Sequence, residues 1–223
     1  MAVLALDSSG NACSAAIWAE GGLRAERFEP RTRGQAERLV PMVQEVLAES
    51  GLAFGAIRRI AVVRGPGSFT GLRVALATAR ALGLALNRPV EGYDAFAVAL
   101  GGLSQPHERT DRLLLAIDSR RREPFVRLFE GGRPAGPPYA ASPEDLAAQF
   151  AGQTLRLGGN AAQALAAALR PRVDAQVAEG DGELRAATLA VLAGSCSVEP
   201  AAPEPLYLRP PDVTHPRHGR PAG

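Results

Sequence analysis

Val3-Leu4-Ala5-Leu6-Asp7-Ser8-Ser9-Gly10 opens the chain, and Leu115-Ala116-Ile117-Asp118-Ser119 repeats its pattern in the second half. Each is a short apolar run that ends in Asp-Ser. That is the pattern of a buried strand whose carboxylate emerges into a polar turn. After the first run, residues 13–18 and 23–28 read as two more strands joined at Gly21-Gly22, which makes a three-strand antiparallel meander. After the second, residues 125–129 read as a strand before Gly131-Gly132, so the second half begins as the first did.

The rest of the first half alternates. Residues 35–50 carry Ala36, Leu39, Val40, Val43, Val46 and Leu47 at helical spacing, and Gly51 ends the run. Pro41 lies inside it, so it either occupies the first turn or kinks the helix. Residues 57–63 form an apolar strand, a glycine-rich turn follows, and a long helix is predicted over residues 70–87. A short strand near 90–92 and a helical turn over 95–100 complete the series. The order βββαβα is that of a ribonuclease-H-like half. In the second half, Ser142-Pro143-Glu144-Asp145 is a helix start, with an N-cap serine, proline in the first turn and acids facing the helix dipole. Further helices are expected at 161–169 and 183–196. The fold class expected is α/β, with two ribonuclease-H-like lobes and the second reduced. Residues 1–102 form the first lobe, 103–200 the smaller one and 201–223 a proline-rich tail.

Composition narrows the chemistry. All 25 basic residues are arginine, and the net charge is +2. Without lysine there is no Schiff-base amine and no nucleotide-loop lysine. A near-balanced charge argues against a protein that grips nucleic acid alone. Cys13 and Cys196 stand in no metal or redox spacing and read as small buried side chains in a reducing compartment. Residues 1–9 lack the pattern of a signal peptide, and no stretch is expected to span a membrane, so a cytoplasmic protein is expected.

Three features could carry chemistry. Asp7, Ser8 and Ser9 at a strand end could hold a metal-bound phosphate; the plainer alternative is an aspartate that accepts backbone hydrogen bonds in its own turn. Gly65, Gly67, Ser68, Thr70 and Gly71 lie in Arg64-Gly65-Pro66-Gly67-Ser68-Phe69-Thr70-Gly71-Leu72-Arg73, between a strand and a helix, where free N–H groups attract an anion. The plainer alternative is a tight turn with Ser68 or Thr70 as the N-cap. The helix that follows is apolar nearly all round. With the 35–50 helix it offers Leu39, Val40, Met42, Val43, Val46, Leu47, Val74, Ala77, Thr78 and Ala81 to a partner subunit, or else it is a core helix. His107 stands alone in a polar loop, and His215-Pro216-Arg217-His218 is a poor metal site in a tail. Arg120-Arg121-Arg122 is either a phosphate contact or a solvated cluster.

Taken together, Ala5-Leu6-Asp7-Ser8-Ser9, Glu37-Arg38-Leu39-Val40-Pro41, the string at 65–73, Asp118-Ser119-Arg120-Arg121 and Pro205-Leu206-Tyr207-Leu208-Arg209 resemble the TsaB family. The string at 65–73 is highly specific, and the likeness runs from residue 3 to about 209. It implies the fold of the actin, sugar-kinase and chaperone ATPase superfamily with a shrunken second lobe. Its catalytic relative TsaD carries an H-x-x-x-H metal motif on the first helix, where this chain has Gln35 and Glu37. The resemblance therefore implies a non-catalytic subunit that supports N6-threonylcarbamoyl modification of the adenosine beside the tRNA anticodon. It would pair with a TsaD-type transferase, be joined by a TsaE-type ATPase, meet tRNA through the complex, and form a homodimer when alone. No cofactor is required by this chain. The alternative is an ATP-binding protein or small-molecule kinase of the same fold, taking ADP or ATP with magnesium at Asp7 and the 65–71 turn.

Overall fold

The structure, a computed structural model, describes residues 1–104, 112–180 and 182–209. His107, His215 and His218 lie outside the described residues. The first five-stranded sheet has the order β3-β2-β1-β4-β5, built from β1 (Ala2–Asp7), β2 (Ala12–Ala19), β3 (Gly22–Pro30), β4 (Ile57–Gly65) and β5 (Val90–Asp94). β1, β2 and β3 pair antiparallel as a meander, whereas β4 and β5 join in parallel. Helix α1 (Gln35–Ser50) runs through Pro41 as one helix, and α2 (Phe69–Leu86) follows β4. Helix α3 (Ala95–Gly101) closes the first half; the side chain of its N-cap Asp94 accepts from the Phe96 N–H.

The second sheet repeats this plan in smaller form. Its order is β11-β10-β6-β7-β8, from β6 (Arg112–Ile117), β7 (Phe125–Glu130), β8 (Arg133–Pro134), β10 (Thr154–Gly158) and β11 (Asp174–Val177), with β9 (Tyr139–Ala140) added to β7. Helices α4 (Pro143–Gln149) and α5 (Ala162–Leu169) cover its outer face, and Ser142 caps α4 as its sequence requires.

Alternation along the strands divides the core into three layers. Leu4 and Leu6 of β1 face α1 and α2. Val3 and Ala5 face inward, where they share one cluster with Leu113, Leu115 and Ile117 of β6. Leu114 and Ala116 face α4 and α5. The central layer is filled by α3 and by α6 (Ala186–Gly194), which packs against β1 and β2 of the first sheet although it follows the second sheet in sequence. Its first N–H, that of Ala186, donates to Ser14 Oγ of β2 at 3.0 Å, and Arg185 pairs with Glu26 of β3. The last helix expected over 183–196 is thus shorter, and it serves the first sheet.

Two expectations change. Cys13 is buried, but Cys196 is exposed, because it sits past the end of α6 at φ 54°. Helix α2 has the length and apolarity of a minimal spanning segment, with mean hydropathy 1.3 over 18 residues. Here it lies on the sheet and is one-third buried. Its outer Arg73 donates to the Tyr207 hydroxyl, and Arg80 donates to the carbonyl of Pro203. Residues 201–209 are correspondingly ordered. Ala201 bridges Gly92 of β5, and the Leu206 N–H donates to the Arg64 carbonyl at 2.7 Å.

Candidate functional site: two strand-end turns and an outward helix face

The two segments singled out for phosphate chemistry meet, but they meet face to face. Ser8 Oγ donates to the Gly71 carbonyl at 2.8 Å, and the Ser68 N–H donates to the Ser9 carbonyl at 2.7 Å. Gly67 and Gly71 are glycine because of this closeness. A Cβ on Gly71 would overlap the Ser8 carbonyl oxygen, and one on Gly67 would come within 2.7 Å of the Ser9 oxygen. Ser68 is the N-cap of α2 and accepts from the Gly71 N–H at 3.3 Å, while Thr70 lies exposed in the first turn. Gly65 lies beneath Leu206.

Asp7, Ser8 and Ser9 are all buried as a result. Asp7 Oδ1 accepts from the Ser9 N–H at 3.0 Å, while Oδ2 has no hydrogen-bond partner among the described residues. Burial pushes the Asp7 carboxyl up to about 6, against the pull of the Ser8 and Ser9 N–H groups, and Glu183 adds to the rise. As placed, these residues form a joint between β1 and the start of α2. An open phosphate cradle would leave the same amides facing a cavity.

The second strand-end turn differs. Asp118 is partly exposed and binds across the lobes: Asn11 Nδ2 donates to its Oδ2 at 2.7 Å. Its Oδ1 accepts from the Arg120 N–H at 2.7 Å, and its own N–H donates to Asn160 Oδ1 at 2.8 Å. The Arg120 guanidinium reaches the carbonyls of Gly10, at 2.8 Å, and Thr32, at 3.3 Å. The two turns are therefore latched to one another where the lobes meet. Sequence reasoning missed Asn11 and Asn160. Asn11 follows Gly10 in the turn after β1, whereas Asn160 follows Gly159 after β10, and the only local signal at each is an asparagine beside a glycine. Arg120, read as a phosphate contact or solvated cation, is a clamp, and the Arg122 guanidinium pairs with Glu144 at 2.7 Å.

The helix residues separate by face. Leu39, Met42, Val43, Val46 and Leu47 are expected at a partner interface, but all are sealed in the core between α1 and the sheet. This is a correction with a simple cause: their 3–4 spacing marks the stripe that α1 uses for its own sheet. Val40 is 43% exposed on the opposite side. On α2, Ala77 and Ala81 are exposed, and Val74 and Thr78 are half-buried. Leu84, 86% exposed, belongs to the same outward side, although the sequence reading does not place it among the partner-facing residues. Between α1 and β3, Arg38 grips Glu29 and Glu45, and its hydrogen bonds hold both carboxyls below the usual range.

The family model described as TsaD, tRNA N6-adenosine threonylcarbamoyltransferase, matches residues 29–130. A curated relative, the tRNA threonylcarbamoyladenosine biosynthesis protein TsaB of Escherichia coli, is 38% identical over 125 residues, which are 56% of this chain and 53% of that protein. The match thus spans about half the length of that relative. An uncharacterised protein of Mycobacterium bovis is 35% identical over 214 residues, covering 95% of this chain and 93% of that one. Among solved structures, YeaZ from Pseudomonas aeruginosa superposes with a TM-score of 0.71 at 29% identity, over 93% of this chain and 99% of that chain.

Proposed function

The chain belongs to the TsaB family, and from that premise we propose that it is a non-catalytic scaffold subunit in the biosynthesis of threonylcarbamoyladenosine in tRNA. It holds a TsaD-type transferase through the outward side of α1 and α2, in the cytoplasm. A TsaE-type ATPase joins that assembly, and tRNA is modified within it. A second copy of this chain would use the same face when the transferase is absent.

The observation that carries this reading is the outward face itself. Val40, Ala77, Ala81 and Leu84 are exposed apolar residues on two adjacent helices whose inner stripes already fill the core. Apolar residues left exposed on helices whose inner stripes are already covered suit an interaction site, and small residues allow a partner helix to approach closely. The non-catalytic role is supported by α1, which carries Gln35 and Glu37 where the resemblance places a metal motif in TsaD. The kinase alternative has less to support it, because Asp7 is buried and the Gly67–Gly71 turn is packed against Ser8 and Ser9.

Co-expression with the TsaD-type protein of the same organism tests the proposal. Ala77→Arg and Val40→Glu are expected to lose co-purification while keeping the wild-type unfolding midpoint. Val43→Asp should instead unfold the chain, since it buries a charge in a closed core. An Ala77→Arg chain that still captures the transferase would refute the assignment of this face. Calorimetry with ADP and magnesium tests the alternative, which requires measurable heat that Asp7→Asn abolishes.

A further inference from the structure

Where the lobes meet, a cleft of about 520 Å³ opens at the N-termini of α1 and α2. It is lined by Arg33, Arg120 and Arg121, and no carboxylate is among its lining residues. The Arg33 guanidinium has no partner among the described residues, and that of Arg120 meets carbonyl oxygens, so neither charge is cancelled by an acid. The α1 N-cap, Gly34, is part of the lining and has no side-chain cap, while Glu37 sits in the first turn of the helix. Phe69 belongs to the same lining and extends it with an aromatic surface. Its ring lies 5.1 Å from that of Tyr207, each residue is 37% exposed, and the Arg73 guanidinium sits 3.7 Å over the Phe69 ring.

A cationic recess beside exposed, cation-backed rings has the two elements that single-stranded nucleic acid needs, a phosphate seat and a stacking surface. A mononucleotide site would enclose its base, because small-ligand pockets bury most of the ligand. These rings are open to solvent, which suits a base that belongs to a longer strand. We propose that this cleft and the Phe69–Tyr207 pair form a contact surface for an unpaired RNA loop, with a backbone phosphate beside Arg33 and a base against the rings. The inference rests on the tRNA-linked reading above and deepens it: the scaffold itself touches the RNA, in addition to holding the transferase.

The test measures anisotropy of a fluorescein-labelled RNA hairpin with an unpaired loop, titrated with the full chain, against a fully paired RNA duplex. The hairpin is expected to bind more tightly than the duplex. Arg33→Glu should weaken hairpin binding about tenfold and reduce the slope of log affinity against log salt by roughly 0.7, the loss of one phosphate contact. Phe69→Leu, or Tyr207→Leu should the first variant fold poorly, should weaken it about fivefold. Arg133→Glu, an equal charge change on the exposed β8, should leave it unchanged. Equal binding of hairpin and duplex, displacement of the hairpin by AMP or inorganic phosphate at equal affinity, or equal harm from Arg133→Glu would each overturn the inference. A chain that captures its transferase but shows no loop preference loses this inference alone. A chain that binds the loop through Arg33 and Phe69 yet captures no transferase loses the scaffold reading alone.

Discussion

The turns after β1 and β6 start from the same five-residue pattern and end in opposite situations. At the first, the Gly67–Gly71 segment is packed against Ser8 and Ser9, Asp7 is buried beside them, and its carboxyl is pushed up to about 6 by burial. At the second, Asp118 stays partly exposed and spends both oxygens on hydrogen bonds, one of them to the opposite lobe. An aspartate at a strand end thus carries no fixed role. Its chemistry is set by what the neighbouring parallel strand delivers over it: a glycine loop after β4, and Asn160 after β10.

The sharpest way to break this comparison is to pry open the first turn. Gly71→Ala drives a methyl group into the Ser8 carbonyl, and we expect a loss of at least about 3 kcal/mol in urea unfolding. A variant with the wild-type midpoint would show that the joint is loose. Next in size is the charge of Asp7. Its folded carboxyl, near 6, lies above the ordinary aspartate value of 3.8, so its contribution to stability is complete below about pH 3.8 and lost as pH rises through about 6. The difference is on the order of 3 kcal/mol. Asp7→Asn, which keeps the acceptor for the Ser9 N–H, should therefore be more stable than wild type at pH 7.5 by a similar amount. The two should converge near pH 4, and parallel curves of unfolding free energy against pH would contradict the burial argument.

Asp118 should behave oppositely. Asp118→Asn is expected to lose about 1 kcal/mol at neutral pH, because a charge-assisted bond to Asn11 becomes an amide contact. Asn11→Ala should cost the same, and the double variant no more than either single one if the pair is a true latch. The smallest effect is expected for Ser119→Ala, which removes a partly buried hydroxyl bond to the Glu123 carbonyl; a change under about 0.5 kcal/mol in thermal unfolding is anticipated.

Much of this architecture was legible because it is written locally. Gly21, the Ser142-Pro143 start, Gly51 after α1 and the repeated Asp-Ser endings each act within a few residues, and the elements formed there. The buried stripe of α1 was legible too, but periodicity states that a face is covered without naming what covers it. Leu39 and Val43 were therefore offered to a partner when the chain's own sheet already held them. Strands β10 and β11 escaped notice. Thr154–Gly158 is short and half polar, and Asp174–Val177 is an edge strand with little apolar content. The candidate site was least readable. The Asn11–Asp118 bond and the Phe69–Tyr207 contact join residues more than 100 positions apart, and nothing near either partner announces the other.

The return of α6 to the first sheet bears on how the molecule is made. While the polypeptide is leaving the ribosome, β1 to β5 can pair and receive α1 and α2, yet their inner surface waits for a helix that is synthesised only after the whole second sheet. Ser14 and Glu26 find their partners, Ala186 and Arg185, at the same late moment. Emergence of residues 186–194 then becomes the step that locks both halves together. Until then, a greasy sheet surface is open to whatever the nascent chain meets first.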